Sequence, residues 1–317
     1  MSKRLFTYII LAAAAVTASC TKNTVDLPYG GAISFAPVAE KSTKAIIEGT
    51  TYPTTESFAV SAYHGGSDAY FEDLVASYNS SITLWETSTA EYWPLAGSLT
   101  FNAYSPSSAR ASGVTITSAG VTATDYTIQT SDQMTTDLCY ASATVADCAD
   151  HPESVPLVFS HALSQVVFRV KAASYYANTS LSMTSLSMDG ICSIGYFNGS
   201  AWENQNTEYL YNLSSTPTNL TYDGNTPVVT DVCSFLFLPQ TFGPNAKLNV
   251  GYSIDFGGGR TLDNPPVSIS LGGSITQWDP GKKYIYTINI GMDNVITFTA
   301  STVGWQDENA NIIVEEN

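Results

Sequence analysis

The sequence predicts an all-β protein, and three observations carry that expectation. Helical apolar faces are scarce, whereas short β-branched and aromatic segments alternate with polar residues along most of the chain. Asp-Gly, Asn-Gly and Gly-Gly pairs punctuate those segments. Only 13% of the 317 residues are charged, while 19 Tyr and 13 Phe supply the side chains that strands favour over helices.

The first element is not part of that fold. Lys3 and Arg4 form a positive start, Leu5 to Val16 an apolar run, and Thr17-Ala18-Ser19 the small residues of a signal-peptidase site. Twelve residues are too few to cross a hydrocarbon layer, which needs about 20, so residues 1–19 read as a lipoprotein signal peptide. Ala18-Ser19-Cys20 resembles a bacterial lipobox, in which the thiol is acylated, palmitate included, and Cys20 anchors the mature chain. The alternative is an ordinary signal peptide with a cysteine nearby. Losing residues 1–19 removes two basic residues, so the remainder carries 10 minus 28, or −18, charges. Such a surface excludes nucleic acid as a partner.

Strands are expected near 32–38, 45–49, 57–63, 98–104, 113–117 and 122–129. In the first of these Ile33 and Phe35 share one face; in the third Phe58, Val60 and Ala62 alternate against Ala59, Ser61 and Tyr63. Residues 146–156, with Asp147, Cys148, Asp150, His151, Pro152 and Glu153, interrupt the pattern and mark a boundary between two domains, 45–150 and 151–317. Beyond it, strands are expected near 156–171, 181–188, 191–197, 231–238, 246–256, 283–290, 295–302 and 310–315. Asp189-Gly190 and Asn198-Gly199 suit tight hairpins, and Gly257-Gly258-Gly259 another turn.

The chemistry-bearing residues point away from catalysis. The glycine run lacks the following helix and Lys-Ser/Thr of a phosphate loop, and there is neither a Gly-x-Ser-x-Gly elbow nor a His-Glu-x-x-His pair. The 146–156 cluster has metal-binding residue types without the spacing of a zinc or calcium site. We therefore expect no catalytic residues, no metal and no cofactor. His161, inside LVFSHALSQVVF, reads as a hydrogen-bonded structural histidine and His64 as a turn residue. Cys139, Cys148, Cys192 and Cys233 follow the anchor; export permits disulfides, and buried free thiols are the alternative.

Taken in order, SFAVSAY (57–63), EYWPLAGSLTFNAYSP (91–106), DLCYA (137–141), LVFSHALSQVVFRV (157–170), FLFLPQTF (235–242), WDPGKKYIYTINI (278–290) and VGWQD (303–307) resemble the fimbrillin, Mfa-like lipoprotein family of Bacteroidales. The resemblance implies two transthyretin-like β-sandwich domains in tandem, and a structural role in a type V-like pilus or fimbria at the cell surface. It implies as partners other pilin subunits, a maturation protease and a host or bacterial surface receptor. It also implies that residues 20–44, with the strand holding Ile33 and Phe35, are removed on maturation. The scissile bond aligns with Lys44-Ala45, where the family commonly has Arg-Ala. Polymerisation by donor-strand exchange then follows, with 310–317 and its Ile312 and Val314 as the donor; an ordinary last strand is the other reading of that segment. A monomeric surface lipoprotein binding glycans or another ligand is the alternative function, because Tyr, Trp and Asn are plentiful and suit sugar rings.

Overall fold

The computed structural model describes residues 31–39, 52–128, 137–293 and 295–305, and these are all-β with two short 3-10 turns. The first half contributes β1 (Phe35–Ala39), β2 (Phe58–His64), β3 (Asp68–Asn79), β4 (Leu84–Thr87), β5 (Leu99–Ser105), β6 (Val114–Thr117), β7 (Gly120–Thr127), β8 (Cys139–Val145) and β9 (Val155–His161). The second contributes β10 (Ser164–Ala172), β11 (Ser180–Phe197), β12 (Trp202–Ser214), the short β13 (Thr218–Asn219), β14 (Tyr222–Asp223) and β15 (Thr226–Pro227), then β16 (Thr230–Phe237), β17 (Lys247–Asp255), β18 (Thr261–Ser270), β19 (Lys282–Ile290) and β20 (Ile296–Gly304).

These strands build two cores. One is a closed barrel in the order β1-β4-β3-β2-β5-β8-β9, and closure removes the exposed edges that an open sheet presents. Its interior is aromatic, because inward positions alternate along each strand and are taken by Phe35, Phe58, Phe101, Phe159 and the indoles of Trp85 and Trp93. The other core lies between a four-stranded sheet, β16-β10-β19-β20, and a larger sheet, β18-β17-β11-β7-β6, to which β12 and β13 are added along β11. Phe168, Phe237, Tyr252, Trp278 and Tyr286 fill it. The β6–β7 hairpin belongs to the first half of the chain but pairs with β11, Tyr126 opposite Gly195.

The expected strands 45–49 and 310–315 lie outside the described residues; the others are present, and two differ in an instructive way. The run 156–171 is two strands: β9 closes the barrel and β10 enters the other core, with Ala162 and Leu163 between them. That link is tied down from several sides, since Ala162 N–H donates to Leu138 O (2.8 Å), Trp202 Nε1 to Ala162 O (2.6 Å) and Gly281 N–H to Leu163 O (2.9 Å). The second difference is at Asp189-Gly190, which forms no hairpin. Gly190, at φ +71°, sits in a bulge within the continuous 18-residue β11, and a Cβ there would collide with the Asn245 backbone. Asn198-Gly199 and Gly257 to Gly259 do make the expected turns, between β11 and β12 and between β17 and β18. Cys139, Cys148, Cys192 and Cys233 are free thiols, the first two buried.

Several strands that periodicity missed carry a weak or interrupted apolar signal. β3 carries Asp73 at φ +53° and shifts register against β2, β8 is rich in small residues, and β18 contains Pro265-Pro266. β18 is an end strand of its sheet, where a residue without an N–H is tolerated. Among the described residues, no helix is long and apolar enough to cross a membrane.

Candidate functional site

The groove that holds β1 is the place where the chain's N-terminal region meets the barrel. Alternation sends Ile33, Phe35 and Pro37 inward and leaves Val38 at the surface. Ile33 and Phe35, singled out from sequence, are 2% and 0% exposed. Phe35 meets Phe58 and Phe101 edge-to-face, each at 5.7 Å between ring centroids, the arrangement that puts positive ring edges against negative faces.

The backbone is bound as firmly as the side chains. Ile33 N–H donates to Glu91 O (2.8 Å), Trp93 N–H to Gly31 O (3.1 Å) and Val155 N–H to Ser34 O (2.8 Å), while the Ser34 hydroxyl donates to Glu153 O (3.2 Å). β1 runs parallel to β9, with Phe35 to Ala39 opposite Val155 to Phe159, and meets β4 at a single position, Phe35 opposite Trp85. β9 pairs with β8 only at Ser160 and His161. Among the described residues, β1 is therefore the ladder partner of Val155 to Phe159. Without it, four or five residues of β9 would face outward with unpaired N–H and C=O groups beside an apolar trough.

Tyr52 is the residue that sequence reasoning missed, because Tyr52-Pro53 belongs to no periodic run. It is fully buried and packs on Phe58, Trp85 and Phe159 at 5.4–5.8 Å. Its hydroxyl shares a 2.8 Å hydrogen bond with Ser105 Oγ, and burial pushes the phenol well above its ordinary range. Tyr52 and β1 thus plug into one core from the two sides of residues 40–51. Cys20, Lys44, Ala45, Ile312 and Val314 lie outside the described residues, so of the expected site residues the fold brings together Ile33 and Phe35.

Comparison with known proteins agrees with this architecture. A family model described as fimbrillin-like matches residues 43–305, most of the chain, starting after β1. No curated protein sequence matches. Among solved structures, a fimbrial protein from Bacteroides vulgatus is 18% identical with a TM-score of 0.58, covering 86% of this chain and 99% of its own. A candidate cell adhesion protein from Bacteroides ovatus is 16% identical with a TM-score of 0.52, covering 91% and 99%. Another from Parabacteroides distasonis is 10% identical with a TM-score of 0.52, covering 86% and 98%. At these identities the structures establish a shared fold, and the family match establishes the lineage: the chain belongs to the fimbrillin-like family.

Proposed function

We propose that the protein is a structural subunit of a cell-surface pilus or fimbria, with a role in adhesion, and that it assembles by proteolysis-triggered strand exchange. One observation carries the reading: β1 is a plug, buried through Ile33 and Phe35 and serving as the ladder partner of Val155 to Phe159. Cleavage after Lys44 would release it and leave a groove shaped for an extended strand. A donor from another subunit enters by β-augmentation, main-chain hydrogen bonds giving affinity and alternate side chains giving register. Each apolar side chain that refills the groove is worth roughly 1.5–3 kcal/mol, and each hydrogen bond about 1 kcal/mol net. Ordering the donor offsets part of that.

The family match beginning at residue 43 supports treating β1 as separable from the unit that follows. In this reading Cys20 is the acylated anchor that delivers the precursor to the outer membrane, residues 20–44 are trimmed, and 310–317 is the donor. A protease accepting lysine is required, because the family's Arg-Ala is Lys44-Ala45 here and the guanidinium fork of arginine is not matched by an ammonium. We read the two cores as tandem transthyretin-like units, supported by their separate apolar clusters. A boundary near 146–156 would leave β9 with the second unit in sequence and with the first in space.

The test is to incubate the purified precursor with trypsin. A ladder of SDS-resistant oligomers, absent when Lys41 and Lys44 are both replaced by Ala, is the expected result. A trimmed chain that stays monomeric and instead binds sugars would favour the glycan-binding alternative.

A further inference from the structure

Outside the β1 groove, three donor groups of different chemistry converge in a buried position where the barrel meets the second core. Cys139, the first residue of β8, lies directly opposite His161, the last residue of β9, across the antiparallel ladder. Asp137 is two residues before Cys139. All three are at most 3% exposed. Cys139 Sγ and Asp137 Oδ2 approach the same ring nitrogen, His161 Nδ1, at 3.4 and 2.6 Å, and the three donor atoms lie within 4.8 Å of one another.

This arrangement is not that of a catalytic triad. In a triad the base uses its two ring nitrogens separately, one toward the nucleophile and one toward the carboxylate. Here both neighbours crowd Nδ1, while Nε2 has no hydrogen-bond partner among the described residues. Burial and the Asp137 carboxylate also push the Cys139 thiol well above its ordinary range, which suppresses a free thiolate. A carboxylate, an imidazole and a thiol aimed at one point are instead the donor set of a borderline-soft cation.

We propose that Asp137 Oδ2, Cys139 Sγ and His161 Nδ1 form a buried binding site for one divalent cation of the zinc class. Distances support it. Bonds of about 2.3 Å to sulfur and 2.0–2.1 Å to nitrogen, at a tetrahedral angle, separate the two donors by about 3.5 Å, close to the 3.4 Å between Sγ and Nδ1. The oxygen–nitrogen edge of the same tetrahedron is about 3.3 Å, so the Asp137 carboxylate must draw back from its 2.6 Å contact.

A second observation points to a ligand. Asp137 is 2% exposed, and neither of its oxygens makes a hydrogen bond of good geometry among the described residues. A bound cation would give this carboxylate the partner it lacks. A thiolate and a carboxylate around a 2+ ion sum to zero charge, the arrangement that burial tolerates best. Binding exchanges the thiol proton for the metal and releases that proton to solvent, so affinity rises with pH. Trp305, just after β20, stacks on the imidazole at 4.2 Å and 15°. It holds the ring's orientation and joins the second core to the site.

The experiment strips the purified full chain with a chelator and dialyses it against zinc, then separately against cobalt. The expected result is about one zinc per chain, and in the cobalt form an absorption band near the ultraviolet from thiolate-to-metal charge transfer. Cys139→Ser should weaken zinc binding at least about tenfold and abolish the band, whereas Cys233→Ser should leave both unchanged. Absence of bound zinc, or zinc bound at full stoichiometry with no thiolate band in the cobalt form, would overturn the proposal. The cobalt spectrum of the unmutated chain decides the matter even if Cys139→Ser fails to fold.

Discussion

At the scale of single residues, the buried aromatics bind the protein's stability to the integrity of β1 and to pH. Phe35 fills a site ringed by Phe58 and Phe101, and truncating a buried phenylalanine costs about 3–5 kcal/mol. Phe35→Ala should therefore lower the precursor's stability by about that amount in a denaturant titration. The same substitution cannot affect a chain that begins at Ala45, so the difference between precursor and trimmed forms isolates the contribution of β1. Burial also raises the phenols of Tyr52, Tyr126 and Tyr286, holds Tyr284 at about 12, and lifts the Cys233 thiol to about 12. Unfolded, these groups titrate near 8.5 for cysteine and about 10 for tyrosine. Between those values and the raised ones the unfolded chain has fewer bound protons than the folded chain, so stability falls as pH rises. Melting temperature should hold steady up to about pH 8 and then drop progressively from about pH 9 to 12. A flat profile through pH 11 would show that these groups are not buried in solution.

At the scale of elements, what could be read from the sequence was decided by how local the signal is. β2, β5, β17 and β19 show clean alternation or continuous apolar runs, and the sequence predicts each within a residue or two of its ends. The long β11 was expected as a hairpin because Asp189-Gly190 is a strong turn dipeptide. Its tertiary setting, the Asn245 backbone pressed against Gly190 and β12 paired on both sides of the bend, keeps the strand going as a bulge. Gly190→Ala should consequently destabilise the fold by about 1–3 kcal/mol, read from the denaturation midpoint. An alanine that left the midpoint unchanged would mean the bulge relaxes freely. For the candidate site the sequence told half the story. Ile33 and Phe35 are visible as an alternating pair, whereas Tyr52, and the dependence of β9 on β1 for pairing, arise only when residues more than a hundred positions apart are brought together. The convergence of Asp137, Cys139 and His161 is hidden too, since nothing in the spacing of 137, 139 and 161 marks a cross-strand pair.

At the scale of the whole molecule, the proposed assembly makes the barrel the receiving half, and the question is what it would receive. Its vacated trough would be lined by Phe58, Phe101 and Phe159 and edged by the unpaired side of β9, so the occupant must be extended and apolar at alternate positions. The segment 310–317, ANIIVEEN, meets that requirement with Ile312 and Val314 two residues apart. It follows β20, the end strand of the smaller sheet. Placing Asp at both positions sets charges against an aromatic trough, where an unpaired carboxylate is strongly disfavoured. In the exchange model this strand is not needed to close its own subunit's cores, so the damage should fall on assembly rather than folding. Ile312→Asp with Val314→Asp should give a monomer that melts cooperatively at nearly the parent temperature, yet forms no SDS-resistant ladder after trypsin treatment. Deletion of 310–317 should behave alike. Adding either trimmed variant to trimmed parent chains sharpens the test: each still has an open groove, so it should accept a parent donor and then cap the growing polymer, shortening the ladder in proportion to the amount added. Loss of cooperative melting in the variant would assign the segment to its own subunit's fold, and a ladder of normal length would move the donor elsewhere.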